Sequence, residues 1–161
     1  MDKNILIIRS TSNQHLALVV RRLKEEYPQG NMDVLTHAHS AESIGELDGI
    51  RDILSYPPSQ YFTPFLLPAP KKNYPVVVVP VANLTGSGYE NVLLLALRLK
   101  KEKILLCNLG GNLVPLSTQT ILARTFRFLL SIPIAVLGAL FFLILNLLAL
   151  IRAASRQRIQ E

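Results

Sequence analysis

Short, uninterrupted apolar runs alternate along the first 127 residues with segments in which apolar residues recur every three or four positions. Uninterrupted runs of this length are typical of strands that are buried on both faces of a parallel sheet. Five such runs predict strands over residues 4–10, 32–38, 52–56, 75–82 and 103–111.

Helical spacing is clearest in residues 15–27, where Leu16, Val19, Val20 and Leu23 would form one apolar stripe. Residues 89–101 show the same spacing, and residues 40–47 predict a shorter helix that Ser40 would cap. Strands and helices that alternate in this way predict an α/β fold with a doubly wound, mostly parallel, five-stranded Rossmann-like sheet, followed by a C-terminal transmembrane helix.

The stretch between the third and fourth predicted strands has a different composition. Six prolines lie from Pro57 to Pro75, among tyrosine, phenylalanine and leucine residues. Proline excludes a helix interior and a central strand, so we expect a long loop. Its apolar content favours a loop packed on the domain. The alternative is a loop on a membrane surface, with Lys71 and Lys72 directed toward lipid headgroups.

The longest apolar run extends from Phe128 to Ile151 and contains no charged residue over 24 positions. As a helix it would measure about 36 Å at ~1.5 Å per residue, enough to cross a hydrocarbon core of about 30 Å with some tilt. We therefore expect a cytosolic domain at 1–125, a transmembrane helix with basic flanks at 126–152 and a polar tail at 153–161. Two alternatives stay open: a re-entrant hairpin that bends at Pro133 or Gly138, and a hydrophobic surface for a partner protein.

Composition and charge bear on location more than on chemistry. The chain has 161 residues, a net charge of +6 and a single cysteine, Cys107. One cysteine excludes an internal disulfide and fits a reducing compartment, and the N-terminal apolar run is too short for a signal peptide. Arginines flank the long apolar run on both sides, so they do not orient it. The basic residues are dispersed, and we expect no nucleic-acid partner.

Polar residues cluster where three of the predicted strands end. In an α/β sheet, ligands bind beyond the carboxyl ends of the strands. Small polar side chains there suit a sugar or a phosphate, and ordinary polar loops without a ligand are the alternative. The candidate ligand-binding residues are Ser10, Thr11, Ser12, Asn13, Gln14 and His15 after the first strand, Asn83 and Thr85 after the fourth, and Asn108, Gly110 and Gly111 after the fifth.

Motifs for specific chemistry are weak. The chain has neither a G-x-G-x-x-G motif after its first strand nor a P-loop. His37 and His39 would share one face of an extended strand, but no further ligand lies at a supporting spacing, so we predict no metal site. His15 is either a general acid–base group or a capping residue, and Cys107 fits core packing. We predict no catalytic residue and no cofactor.

Two stretches carry a resemblance to a known family. The first is "NILIIRSTSNQHLALVVRRLKEEYPQGNMDVLTH", in which Arg9 ends a strand and "LKEEYP" ends a helix. The second is "NYPVVVVPVA" followed by "GYENVLLLALRLKKEKILLCNLGG". Together they resemble the N-terminal, acceptor-side domain of heptosyltransferase-type GT-B glycosyltransferases, which transfer heptose in lipopolysaccharide assembly. The resemblance covers roughly residues 3–112.

The chain departs from that family in two respects. The family's Gly-Asp pair falls at Asn13 and Gln14, and an amide cannot replace the aspartate that the resemblance implies as the base. The residues after 112 lead into the apolar run, where the family continues toward a second, donor-binding domain. The resemblance therefore implies half of such an enzyme, which we expect to be inactive alone.

These features predict a membrane-anchored auxiliary subunit at a bacterial-type inner membrane, which holds a partner enzyme or a lipid-linked glycan acceptor during polysaccharide assembly. The alternatives are the acceptor half of a split glycosyltransferase and an α/β scaffold subunit of an unrelated membrane complex. Asn146 lies within the apolar run, as do the small residues Ser131, Gly138 and Ala139. Because such residues favour contact between helices in lipid, we expect a second protein subunit or another copy of this chain as a partner.

Overall fold

The computed structural model describes residues 3–44, 47–57, 61–66 and 72–157, with side chains as far as residue 147. The chain divides into two compact units, Met1–Leu122 and Ala123–Glu161. The division lies close to the predicted domain boundary after residue 125.

The first unit is built on a six-stranded sheet in the order β3-β2-β1-β4-β5-β6. Its first five strands are parallel, and β6 runs antiparallel to β5. The strands are β1 (Asn4–Ile8), β2 (Asn31–His37), β3 (Ile50–Tyr56), β4 (Val76–Pro80), β5 (Lys103–Cys107) and β6 (Leu113–Leu116). The order reverses between β1 and β4, because the chain adds β2 and β3 on one side of β1, then β4 and β5 on the other.

Two helices cover opposite faces of this sheet. Helix α1 (Asn13–Glu26) packs its stripe of Leu16, Val19, Val20 and Leu23 with Ile5 and Ile7 of β1. Helix α2 (Glu90–Arg98) packs with Leu6 and Ile8, which point to the other face. All four residues of β1 from Ile5 to Ile8 are fully buried, which explains why the strand is apolar without alternation.

The structure corrects the predicted element count. A sixth strand, β6, lies between the fifth predicted strand and the long apolar run, where the sequence predicts none. This strand is short, half-exposed and pairs only with β5, and a proline is tolerated at such an edge. The short helix predicted at 40–47 is replaced, in the described part, by two separate 3-10 turns, Ala38–Ser40 and Glu42–Ile44.

The description of the sheet as doubly wound stays a prediction. Among the residues that the structure describes, only the β1–β2 and β4–β5 connections contain an α-helix. Part of the proline-rich connection between β3 and β4, residues 58–60 and 67–71 with Lys71, lies outside the described residues, as do Gly45, Glu46 and residues 158–161.

The second unit is formed by helix α3, which begins within the first unit and runs from Thr118 to Gln157. Within its segment Thr118–Leu147, the most apolar window of 18 residues has a mean hydropathy of 2.8 and no buried residue. This is the one helix in the described part of the chain that could cross a membrane by length and composition. The helix is continuous through Pro133 and Gly138, so the predicted alternative of a hairpin at these residues is wrong.

The polar side chains of α3 bond to its own backbone. Ser131 Oγ donates to the carbonyl of Phe128 at 2.7 Å, and Asn146 Nδ2 donates to the carbonyl of Phe142 at 2.8 Å. The Asn146 amide therefore already has a hydrogen-bond acceptor within α3 and does not require one from a neighbouring helix. That a second subunit or another copy binds this helix stays a prediction.

Candidate functional site

A crevice of about 340 Å³ lies at the carboxyl ends of β1 and β2, beside the start of α2. This is the position where the strand order reverses, which is where open α/β sheets bind ligands. Four segments line it: Arg9, Ser10 and Thr11 after β1, His37 at the end of β2, Tyr61 and Phe62 from the proline-rich connection, and Gly88, Tyr89, Asn91 and Val92 around the start of α2.

Arg9 supplies the positive charge of the crevice. Its Nε and Nη2 donate to Oδ1 of Asn13 at 3.1 and 2.8 Å, so its partner is a neutral amide. Within the described ranges, no carboxylate forms an ion pair with Arg9. Burial lowers the pKa of Arg9, although the guanidinium stays protonated at neutral pH.

Two hydroxyl residues follow Arg9 at the switch point. Ser10 Oγ donates to the carbonyl of Pro80 at 2.5 Å and so ties the end of β1 to the end of β4. Thr11 Oγ1 is buried and has no hydrogen-bond partner among the described residues. The Thr11 hydroxyl is therefore an unsatisfied donor beside the crevice, within the described part of the chain.

Aromatic rings also line the crevice and form what we call its aromatic wall. The Phe62 ring lies 4.4 Å from the ring of His37 and 4.8 Å from that of Tyr56. Phe62 is buried, whereas Tyr61 is 73% exposed at the rim. A ligand with a ring can therefore contact an apolar aromatic surface on this side while its polar edge faces Arg9.

Several bonds hold this wall in place. The Tyr56 hydroxyl accepts from the Thr63 amide at 3.0 Å and lies 2.9 Å from the carbonyl oxygens of both Thr63 and Leu66. Asn91 Nδ2 donates to the carbonyl of Phe62 at 2.8 Å, which fastens the segment to α2. Residues 61–66 are thus a packed loop, as the sequence favoured.

Of the six ligand-binding residues predicted after β1, Ser10 and Thr11 line the crevice. The other four lie at the start of α1 and do not line it. Ser12 caps α1 by accepting from the His15 amide at 3.4 Å, and Asn13 holds Arg9. Gln14 is exposed. His15 is buried, with Nε2 3.0 Å from the carbonyl oxygen of Asn108, so it joins α1 to the end of β5.

The residues predicted after β4 and β5 organise their own loops. Asn83 Oδ1 accepts from the amides of Thr85 and Gly86 at 3.2 and 2.5 Å. Asn108 Oδ1 accepts from the Asn112 amide at 3.0 Å. These residues do not line the crevice, and whether they contact a ligand stays a prediction.

The two glycines of the turn after β5 are also explained by the backbone. Gly111 adopts a φ of +76°, and a Cβ there would lie 2.9 Å from Cδ2 of Leu18. Gly110 flanks it between the side chains of Asn108 and Asn112. The turn that needs Gly111 reverses the chain from β5 into β6.

Sequence reasoning missed most of the aromatic wall. Tyr61 and Phe62 come from the proline-rich connection, whose apolar content was the available signal. His37 was read as a loop-edge residue. His37 and His39 do stack, with ring centroids 5.7 Å apart, but no group of three or more metal-ligating residues is present in the part of the chain that the structure describes.

Comparisons with models of known protein families, with curated proteins and with solved structures find no match. The geometry of the crevice and the composition of α3 therefore carry the functional argument. The resemblance to heptosyltransferase-type enzymes stays a prediction.

Proposed function

We propose that this chain is a membrane-anchored auxiliary subunit of glycan assembly, whose α/β domain holds the polar head of a lipid-linked acceptor on the cytosolic side of a bacterial-type inner membrane. The observation that carries the proposal is the crevice at the switch point, which combines a guanidinium, free and bonded hydroxyls, and aromatic rings. Sugars present both apolar ring faces and hydroxyl edges, and such a mixed lining suits them.

The anchoring part of the proposal is supported by α3. Its apolar segment is long enough to cross a hydrocarbon core and carries no buried face. A domain joined to such a helix would meet ligands that are themselves confined to the membrane, which is where lipid-linked glycans are found. We further propose that the sheet is doubly wound and that the domain is related to the acceptor-side domain of GT-B glycosyltransferases.

A holding role is favoured over catalysis by the chain alone. Asn13 and Gln14 occupy the positions where the resemblance expects a Gly-Asp pair, and neither amide accepts a proton at neutral pH. Asn13 is also engaged by Arg9, and Gln14 is exposed away from the crevice lining. No Asp or Glu lines the crevice among the described residues.

The second candidate is the acceptor half of a split glycosyltransferase. His37 favours it, because this imidazole lines the crevice and imidazoles act as general bases. This candidate predicts that transfer activity, reconstituted with a donor-binding chain, is lost in His37→Gln while acceptor binding is retained.

Identification of the lipids that co-purify with the full chain in mild detergent tests the proposal. Mass spectrometry of the extract should find a phosphate-linked glycolipid enriched with the wild type and reduced about tenfold in Tyr61→Ala, since a stacking contact contributes on the order of 1.4 kcal/mol. Phe65→Ala is the matched control, because Phe65 is equally aromatic, 86% exposed and outside the crevice lining. Recovery of bulk phospholipid alone, or equal recovery of the glycolipid with both variants, would contradict it.

A further inference from the structure

Arg9 places a positive charge in the crevice, among side chains that are otherwise neutral. We propose that the crevice recognises an anionic phosphate or pyrophosphate group of its ligand, and that Arg9 is the residue that binds it. This inference rests on the proposed function for the site itself, and it adds the chemical class of the group that enters.

The hydrogen bonds of Arg9 leave donors for a ligand. A guanidinium has five N–H groups in a planar fork, and two of them are directed at the single oxygen of Asn13. The remaining N–H groups belong to Nη1 and Nη2. These groups donate to no other described residue, and two parallel N–H donors of a planar fork match two oxygens of one phosphate, which is why arginine is common at phosphate sites.

The charge balance around Arg9 also favours an anion. Among the described residues, the ten that line the crevice are all neutral or basic. Glu90 comes between the lining residues Tyr89 and Asn91, but its own side chain does not line the crevice and forms no ion pair with Arg9. A half-buried cation without a counter-charge is unfavourable, and an anionic ligand would remove that penalty.

The Thr11 hydroxyl gives a second, independent reason. Its oxygen is buried at the crevice and has no partner within the described residues. A phosphate oxygen only accepts hydrogen bonds, and a threonine hydroxyl can donate one. Arg9 and Thr11 would thus contact the charged group from one side, while Tyr61 and Phe62 contact the ring that it substitutes.

Binding of sodium pyrophosphate to the full chain in nonionic detergent, followed by calorimetry, tests the inference. Arg9→Gln should weaken binding by at least about tenfold, because it removes a charge-assisted contact, and Arg9→Lys should restore part of it. Arg21→Gln is the control, since Arg21 is an exposed arginine of α1 outside the crevice. Methyl glucoside, an uncharged probe, should show no dependence on Arg9.

A salt titration of the wild type tests the same inference without any variant that could fail to fold. Pyrophosphate binding to the wild type should weaken as sodium chloride rises from 0.05 to 0.5 M, roughly the range over which screening of such contacts grows. Unchanged affinity across that range, or equal binding by Arg9→Gln and Arg21→Gln, would overturn the inference.

Nanodiscs distinguish the two sources of the phosphate. If the group belongs to a lipid headgroup, phosphatidylglycerol in the disc should compete with pyrophosphate, whereas phosphatidylcholine discs should not. If soluble sugar phosphates are the ligands, both discs should give the same affinity. Glycolipid that co-purifies equally with Arg9→Gln would overturn the anion site and leave the proposed function standing. Arg9-dependent binding of pyrophosphate, without any co-purified glycolipid, would support the anion site and contradict the proposed function.

Discussion

Asp33 is a fully buried carboxylate in β2, and it contacts three side chains from distant parts of the chain. Arg51 donates to its two oxygens at 2.9 and 2.7 Å, the Tyr74 hydroxyl donates at 2.7 Å and Lys72 Nζ lies at 3.2 Å. Burial alone raises the pKa of Asp33, and the bonds from these three groups outweigh it and hold the pKa below its ordinary value of 3.8. Asp33 is therefore ionised at neutral pH and satisfied inside the fold.

Asp33→Asn should lower the stability of the α/β domain. The amide keeps the shape of the side chain but removes the negative charge that Arg51 and Lys72 face, at a cost of about 2 kcal/mol, or roughly 10 °C in Tm. Thermal unfolding of the full chain in detergent, followed by circular dichroism, measures this change. Asp48→Asn is the control, because the Asp48 side chain is 99% exposed and forms its ion pair with Lys24 at the surface. Equal Tm values for the two variants would contradict the role of Asp33.

The same residue gives a pH dependence with a defined sign. The pKa of Asp33 is lower in the folded state than in the unfolded chain, so its contribution is fully present above about pH 4 and is lost as pH falls below 3.8 toward the folded pKa. The Tm difference between the wild type and Asp33→Asn should therefore shrink over that acidic range. A difference that is constant down to pH 2 would show that Asp33 acts through packing alone.

Local residue roles were predictable from sequence, and distant ones were not. The apolar stripe of α1 was predicted correctly, because residues three or four positions apart share one face of a helix. Asp33 passed unnoticed within an apolar strand, because Arg51 and Tyr74 lie 18 and 41 residues further along the chain. The same limit applies to Arg9, whose proximity to Tyr61 and Phe62 depends on the fold.

At the scale of elements, the proline-rich connection is the part of the domain that sequence described least completely. Tyr56 binds both the backbone of Thr63 and that of Leu66, and Arg98 donates to the carbonyl of Pro64. Lys72, which the membrane-surface alternative would direct at headgroups, instead pairs with Asp33 and Asp52. Residues 61–66 and Lys72 are thus fixed to the sheet and to α2.

Tyr56→Phe should loosen this connection while preserving the core. The ring contacts with Phe62 and His37 remain, and the loss of the hydroxyl removes its bonds to the loop backbone at a cost of about 1 kcal/mol. Hydrogen–deuterium exchange should accelerate in residues 61–66 and stay unchanged in β1 and β4. Tyr27→Phe serves as the control, because the Tyr27 hydroxyl accepts from Lys103 at the surface and has no bond to the loop among the described residues. Unchanged exchange in residues 61–66 would show that the hydroxyl does not hold the loop.

The central elements were predictable because their burial is uniform. Strands β1, β4 and β5 lie inside the sheet, and their apolar runs reflect contact with both core clusters. Strand β6 was missed, because an edge strand of four residues with exposed Val114 and Pro115 has neither an apolar run nor a clear alternation. These four residues form a strand because they pair with β5 in the folded domain.

At the scale of the whole molecule, the crevice depends on the strand order. Four segments separated by up to about 80 residues of sequence meet only because β1 lies between β2 and β4. The prediction of a site beyond the strand ends followed from the fold class. The sequence does not show which strand ends are neighbours. The prediction therefore grouped the residues after β4 and β5 with those after β1 in one candidate site.

Removal of residues 126–161 should separate the α/β domain from the membrane-spanning part. Ile121 is fully buried in the core cluster on the α2 face, and the compact unit ends at Leu122, so a chain of residues 1–125 keeps every contact of that core. It loses the uncharged run whose length fits a bilayer. We expect this chain to appear in the soluble fraction and to elute as a folded species in size-exclusion chromatography. The full chain should sediment with membranes and resist carbonate extraction.

A shorter chain of residues 1–112 controls for release by unfolding. It lacks β6 and Ile121, so it exposes one edge of β5 and part of the core, and we expect it to aggregate. A second control keeps the full length and places a charge in the apolar run: Leu140→Lys should weaken membrane insertion by about 2.5–3.5 kcal/mol at the centre of a span. If the chain of residues 1–125 is folded but still resists carbonate extraction, the domain itself binds the membrane and α3 is not its anchor. If Leu140→Lys leaves extraction unchanged while the 1–125 chain is released, α3 attaches the domain through a protein partner, which was the alternative to a transmembrane helix.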